Sequence, residues 1–481
     1  MVRRAPLRAV LAALCAAGCN DVFGLGAVDD QATGGSGGTA LTTTTTTSEG
    51  GMGGSPDTTS TTSDGGTGGT GGTGGSGATG GAGGMPFAAR IVDVGLGAYN
   101  ACSVVELAPG QGGDPGQNEV RCWGAWDFGI TGAAGQENIG DAMGEAPLPI
   151  ALVNANPLAV TIGHEHACAL LEGGKVRCWG ADNHAQLAGS TLSANIDFGP
   201  GIEIEQISAG GYFTCALSTT KQIFCWGDNG EGVAGDPVGG FAEEPATIPL
   251  WDDPDEEEEV VEIAAGYGFV CARLKNSHIR CWGNNEDGQC GVPPSGTPVS
   301  PTDPPGIGKV FSRLAAGRAH ICGRTPEQEI FCWGDNAGGQ LGAEIATASH
   351  VPLEADLVSP ALDVTAGELH SCAILDVDGV PTAKCWGAAA LGQRGTEDET
   401  PAGKTVNSMG SGLEPVHLPA SFEPARVFAS HHQACALAED GRLTCWGRNE
   451  AGVLGIGVGL GEEWGDEPGE MGEATLFVPI E

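Results

Sequence analysis

Between residues 87 and 481 the apolar positions fall in short bursts rather than at the 3.6-residue spacing of a helix, which predicts strands separated by turns. One burst recurs seven times. Its apolar anchor is Val94, Val160, Ile207, Ile263, Leu314, Val364 and Val427. Three residues on stands a small residue: Gly97, Gly163, Gly210, Gly266, Gly317, Gly367 and Ser430. A cysteine follows five places later, and a second cysteine then opens the tripeptide Cys-Trp-Gly. The pairs are Cys102 with Cys122, Cys168 with Cys178, Cys215 with Cys225, Cys271 with Cys281, Cys322 with Cys332, Cys372 with Cys385 and Cys435 with Cys445.

Eight residues beyond the tripeptide another glycine returns, at Gly132, Gly235, Gly291, Gly342, Gly395 and Gly455, and one place later at Gly189. The stretch between, such as Asp335 to Gly342, is rich in Asn and Gly, which tolerate positive φ. Each repeat also carries a Pro-and-aliphatic stretch, such as Pro147 to Ile150 or Pro415 to Leu418. A unit therefore holds about four short strands.

This order of residues, with Gly, often His, Cys-Ala-Leu, a turn, Cys-Trp-Gly, Asn and Gln-Leu-Gly, resembles the repeat of the regulator of chromosome condensation family over nearly all of residues 87–481. The resemblance implies an all-β, seven-bladed β-propeller of four-stranded blades. Nuclear members do not generally share the cysteine pairs, whereas exported bacterial relatives often do. The family also implies guanine-nucleotide exchange on a small GTPase, but its exchange surface cannot be matched here residue by residue, so that activity enters by analogy alone.

Closure of a ring has its own argument. The first repeat, from Phe87 to Val94, lacks a preceding Pro-and-aliphatic strand, and the chain ends in such a strand, Leu476 to Glu481, with no repeat after it. The expectation is that the C-terminal strand completes the first blade. A linear solenoid would need polar caps instead, whereas a closed ring shields strand edges.

In Cys168 to Cys178 a three-residue turn centred on Gly173 places the two cysteines opposite each other, close enough for a disulfide. Zinc is the competing use, but a ten-residue spacing is unlike Cys-x-x-Cys knuckles. Free buried thiols are the third reading, suited to a reducing compartment. Cys290 stands where Leu341 and Leu454 stand in their repeats and reads as a small buried apolar residue.

Compartment follows from the N-terminus. Residues 1–19 carry Arg3, Arg4 and Arg8, an apolar run from Ala9 to Ala17, then Gly18 and Cys19, the layout of an export signal. The run is too short to span a bilayer. Ala16-Ala17-Gly18-Cys19 resembles a bacterial lipoprotein signal, which would leave Cys19 lipidated; the other reading is an ordinary secretory signal cut nearby. Both favour persistent disulfides. Residues 20–86, mostly Gly, Thr, Ser and Ala, are expected to form a disordered tether, and residues 87–481 the propeller.

Little else carries chemistry. No phosphate loop, nucleophile elbow or His-Glu-x-x-His helix is present, and no cofactor or metal site is expected. His166, His320 and His370 sit two residues before a first cysteine, but Asn100, Phe213, Phe269 and Gln433 fill the same place elsewhere, so packing is their expected work. The acidic run Asp252 to Glu259 lacks the spacing of a calcium loop and reads as a solvated insert.

With 61 acidic against 21 basic residues, the net charge of −40 disfavours nucleic acid and anionic membranes and suits basic proteins or cations. The leading expectation is a monomeric, non-catalytic scaffold at the bacterial cell envelope, periplasmic or secreted in the alternative. It would bind a protein or glycan and touch the membrane only through its lipid. A polysaccharide hydrolase or lyase would need clustered carboxylates in the channel or on one face. Insertions lengthen two cysteine hairpins, at Leu107 to Glu119 and Asp376 to Pro381, and separate repeats at Asp236 to Glu259, Val292 to Gly308 and Thr396 to Leu413. These two sets are expected on opposite faces, with the partner on the inter-repeat face.

Overall fold

The computed structural model describes residues 89–107, 117–132, 137–235, 239–250, 259–276, 278–304, 308–459, 461 and 463–480. All belong to the second of two units, Gly81–Glu481. The signal, Cys19, the tether and acidic residues 252–258 lie outside them.

Among the described residues the fold is all-β, without an α-helix, and comprises seven antiparallel meanders set around an axis. In the first blade Arg90–Leu96, Asn100–Glu106, Asn118–Gly124 and Leu148–Pro149 pair in chain order. The innermost strand of each blade lines the axis, and the Cys-Trp-Gly strand is third. In blades 2 and 6 the fourth place is held by backbone bonds alone, Ile196 N–H to Val176 O at 2.9 Å and Val416 N–H to Ala383 O at 2.8 Å.

Each cysteine pair lies in direct register across the second and third strands, as Cys168 opposite Cys178. All seven pairs are disulfides, and each joins the first cysteine of a repeat to the second of the same repeat. Cys102 is bonded to Cys122, Cys168 to Cys178, Cys215 to Cys225 and Cys271 to Cys281 in blades 1 to 4. Cys322 is bonded to Cys332, Cys372 to Cys385 and Cys435 to Cys445 in blades 5 to 7. Their Cα atoms stand 4.0 to 4.1 Å apart. The turn at Glu172-Gly173-Gly174 uses φ of 77° and 66° at its two glycines, a conformation that costs glycine little.

The seams between blades repeat a second device. The buried indole of each Cys-Trp-Gly reaches back to the loop that follows the same tripeptide in the preceding blade. Trp179 donates to Ile130 O at 2.9 Å, Trp226 to Gln186 O at 2.8 Å, Trp282 to Val233 O at 2.9 Å, Trp333 to Gln289 O at 3.1 Å, Trp386 to Gln340 O at 2.9 Å and Trp446 to Gln393 O at 3.0 Å. The receiving loop is stiffened from within: Asn336 Oδ1 accepts from Leu341 N–H at 3.1 Å, as Asn285 does from Cys290 at 3.0 Å and Asn449 from Leu454 at 3.1 Å. In three blades the glycine that ends it lies against the indole of the next. A Cβ on Gly342 would lie 2.8 Å from the Trp386 indole nitrogen, and one on Gly455 2.5 Å from that of Trp123.

The innermost strands carry a recurrent bulge, between Ile91 and Asp93, Ile204 and Gln206, Val260 and Glu262, and Ala361 and Asp363. The bulge turns the next side chain toward the neighbouring blade. Asp93 thus accepts from Val160 N–H at 3.1 Å, Gln206 from Ile263 N–H at 3.0 Å and Asp363 from Val427 N–H at 3.1 Å. Arg313–Asp363 and Arg426–Asp93 add ion pairs, each at 3.1 Å, across two seams.

Closure differs from the sequence expectation. The first blade already has its own fourth strand, because Leu148 and Pro149 pair with Cys122 and Arg121 and occupy that edge. The C-terminal segment instead bonds to the seventh blade, Val478 N–H to Leu443 O at 2.9 Å, the place Ile150 takes beside Val120 in the first. Its side chains still face the first blade, with Val478, Leu476 and Ile480 packed into one cluster with Ile91, Val94 and Val105. The ring closes as seven complete blades meeting at seven like seams, the last formed by Trp123 and Val453.

Candidate recognition face at the channel mouth

The bend between first and second strands stands at one end of every blade and the cysteine hairpin at the other, giving the ring a mouth face and a hairpin face. At the mouth the bends crowd together. His164 N–H donates to Gly211 O at 2.7 Å, Gly211 to Tyr267 at 2.9 Å, Tyr267 to Arg318 at 3.3 Å and Arg318 to Gly367 at 3.1 Å. Only glycine permits this approach just below: a Cβ on Gly163 would meet Gly210 O at 2.7 Å, and one on Gly317 would meet Gly367 O at 2.3 Å.

His164 stoppers the axis. Its ring lies 5.4 Å from Tyr99, 5.1 Å from Tyr212, 6.3 Å from Tyr267 and 5.5 Å from His431, and so touches four other blades. Burial lowers the pKa of His164 and brings that of His431 to about 3, favouring neutral rings. Behind them lies an axial cavity of about 320 Å³ lined by the innermost strands.

A second cavity, about 510 Å³, opens beside the stopper over blades 3 to 6. Tyr212 and Tyr267 form one wall, and Asp228, Glu231, Glu286, Asp287, Asp335 and Glu368 supply carboxylates against the one guanidinium of Arg318. Arg318 pairs with Glu368 and lies 5.7 Å over the Tyr267 ring. Burial raises the pKa of Asp287, and the charges of Asp335 and Glu286 raise it further. Burial likewise raises Tyr212, with Tyr267 adding to it. Among the described residues no group of three His, Cys, Asp or Glu side chains is placed to hold a metal.

Residues 158–186, 204–233, 260–289 and 311–340 match the model of the regulator of chromosome condensation (RCC1) repeat, and residues 327–374 match a second model of the same repeat. The chain carries RCC1 repeats. It is 31% identical over 220 residues to the human probable E3 ubiquitin-protein ligase HERC6, covering 42% of this chain and 21% of the relative. It is 25% identical over 286 residues to the ultraviolet-B receptor UVR8 of Arabidopsis thaliana, covering 58% and 62%. The chain spans about a fifth of the first curated relatives it matches. Among solved structures, yeast RCC1 (Prp20) bound to Kap60 superposes with a TM-score of 0.59 at 19% identity over 75% of this chain and 83% of that one. Human WBSCR16 does so with 0.58 at 16% identity, over 73% and 86%.

Within this RCC1-repeat ring the disulfides lie inside separate blades and form no common site. The third-strand cysteines Cys225, Cys281, Cys332, Cys385 and Cys445 are each fully buried beside their partners, so their role is to staple a hairpin and not to meet a ligand. His166, His320 and His370 are fully buried, each against the axial glycine of its own blade. His166 Nε2 shares a hydrogen with Thr214 Oγ1 at 2.7 Å and His320 with Ser371 Oγ at 2.9 Å, in each case the residue before the next blade's first cysteine. The seventh blade has Ala434 there, and His370 is left with neither ring nitrogen bonded to another side chain. Cys290 is buried in the apolar contact between blades 4 and 5, with its thiol pushed up by burial.

The residues that shape the mouth, His164, Tyr212, Tyr267, Arg318 and Glu368, sit three or four places before the first cysteines. Their signal was variation: inside the most regular segment of the repeat these two places change type from blade to blade. The insertions also sort differently from the expectation. Phe241–Thr247 is the fourth strand of blade 3 and divides the insertion at 236–259, so its two ends leave on opposite faces. Glu259, the described end of the acidic run, pairs with Lys275 in a hairpin turn at 2.5 Å and therefore stands on the hairpin face, away from the mouth.

Proposed function

We propose that this chain is an exported, non-catalytic recognition module, held at the bacterial cell envelope by lipid on Cys19 and spaced from it by residues 20–86. A protein partner binds the mouth face. The observation that carries this reading is the cavity over blades 3 to 6, a concave, tyrosine-walled and acidic recess on a ring whose axis His164 stoppers. Seven disulfides fit an oxidising compartment. Prp20p of Saccharomyces cerevisiae, similar in fold, has binding properties to Gsp1p and histones, a precedent for protein partners on this fold.

Proximity labelling on intact cells tests the reading. Native chain should mark a defined set of neighbours that a variant carrying both Tyr212→Ala and Tyr267→Ala loses; an unchanged set rejects the mouth face. Release of a Cys19→Ser variant from membrane fractions tests the anchor. The clustered carboxylates also favour a second reading, a polysaccharide hydrolase, because burial and the charges of Asp335 and Glu286 raise the pKa of Asp287, the direction a general acid needs. Reducing-sugar release abolished by Asp287→Asn would establish it in place of the first.

A further inference from the structure

The mouth face is divided between aromatic and acidic halves. From blade 3 toward blade 1, Phe241, half exposed, packs 5.3 Å from His184, which lies 4.5 Å from Tyr212. His164 continues the line to Tyr99, which stacks on Phe128 at 6.4 Å. This aromatic track leads into the carboxylate-lined cavity.

The cavity already shows what it accepts. Arg318 lays its guanidinium over Tyr267 and against Glu368, a cation supplied by the chain itself within the recess. In the same recess Asp287 stands with Asp335 and Glu286, whose charges oppose its own while Arg318 offsets them only in part, a repulsion that a second positive charge relieves. Aromatic rings beside crowded carboxylates fit a side chain with an apolar stem and a charged head.

Resting on the recognition reading above, we infer that the mouth face binds an extended basic peptide segment of a partner protein. One lysine or arginine enters the cavity between Tyr212, Asp287 and Asp335, and neighbouring apolar side chains lie on the track from Tyr212 to Phe241. Charge complementarity selects this occupant over a neutral glycan, which has nothing to offer the carboxylates.

Calorimetric titration of the full chain with a synthetic peptide alternating lysine and phenylalanine tests it. Binding should weaken about tenfold or more when Asp287→Asn and Asp335→Asn are combined and fall in Phe241→Ala. It should persist when Glu172→Gln and Glu439→Gln are combined, since those carboxylates are exposed on hairpin tips. Asp335→Asn leaves the loop intact, because Asn284 does the same work in blade 4 by accepting from Glu286 N–H at 3.1 Å and Gln289 Nε2 at 2.6 Å. Equal weakening by the hairpin-tip pair would reduce the effect to net charge and overturn the site. Equal affinity for a serine–phenylalanine peptide would do the same. If the cavity variant keeps its neighbours on cells while losing nothing in the titration, the cavity assignment fails and the scaffold reading stands.

Discussion

The indole N–H of Trp123 donates to the carbonyl of Val453 at 2.7 Å across 330 residues of chain. Six other tryptophans make the same bond to the blade before them, so the seam that joins the chain's two ends is built like the rest. Trp123 and Trp282 are both buried to 1% exposure or less. Trp123→Phe and Trp282→Phe should therefore cost similar amounts, about 1–3 kcal/mol from the stranded carbonyl plus lost packing. Urea unfolding midpoints check this; a neutral Trp123→Phe beside a costly Trp282→Phe would mean the last seam is not closed this way.

The axial glycines should be far less tolerant than those in the hairpins. Gly317→Ala forces a Cβ to 2.3 Å from Gly367 O, whereas Gly173→Ala meets nothing within 4 Å and bears only its φ of 77°. The expected costs are several kcal/mol or loss of soluble protein for the first, and about 1–2 kcal/mol for the second. Yield and thermal midpoint of the two variants decide it.

Stability should fall on acidification between pH 6.5 and 3. Burial depresses His166, His320 and His370 from 6.5 to about 3, so in that window the unfolded chain binds protons that the folded chain refuses. Each contributes a slope of up to about 1.4 kcal/mol per pH unit. His370→Phe, copying the Phe213 and Phe269 of blades 3 and 4, should flatten the profile and raise stability near neutrality, since His370 gives up no side-chain partner. His166→Phe should flatten it too but cost stability at pH 8, because it strands Thr214. Thermal midpoints from pH 4 to 8 separate the two.

Replacing one cysteine pair, with Cys168→Ala and Cys178→Ala together, should cost about 2–4 kcal/mol through the freed loop of the unfolded chain. Denaturant midpoints with and without reductant measure it. The native chain must lose more on reduction than the variant does.

The parts legible in the sequence were those that every blade needs for the same reason. Cysteine, tryptophan and glycine recur because hairpin, seam and loop are copied seven times, and Gly342 and Gly455 keep their places because an indole lies against each. The C-terminal segment was expected as a strand of the first blade, but it is irregular and bonds the seventh. Its apolar side chains do face the first blade, and only its backbone, through Val478 and Leu443, reveals the partner. The candidate site was hidden for the opposite reason. His164, Tyr267 and Arg318 lie about fifty residues or more apart in sequence and become neighbours only once seven bends converge on an axis.

Among the described residues every covalent staple lies within a blade, and none crosses a seam. Under tension applied at its ends the ring should therefore part first between Trp123 and Val453, the one seam bridged by no connecting segment. It would then open into an arc of intact blades, and the hairpins, each knotted by its own sulfur bond, would be the last elements to lose their shape.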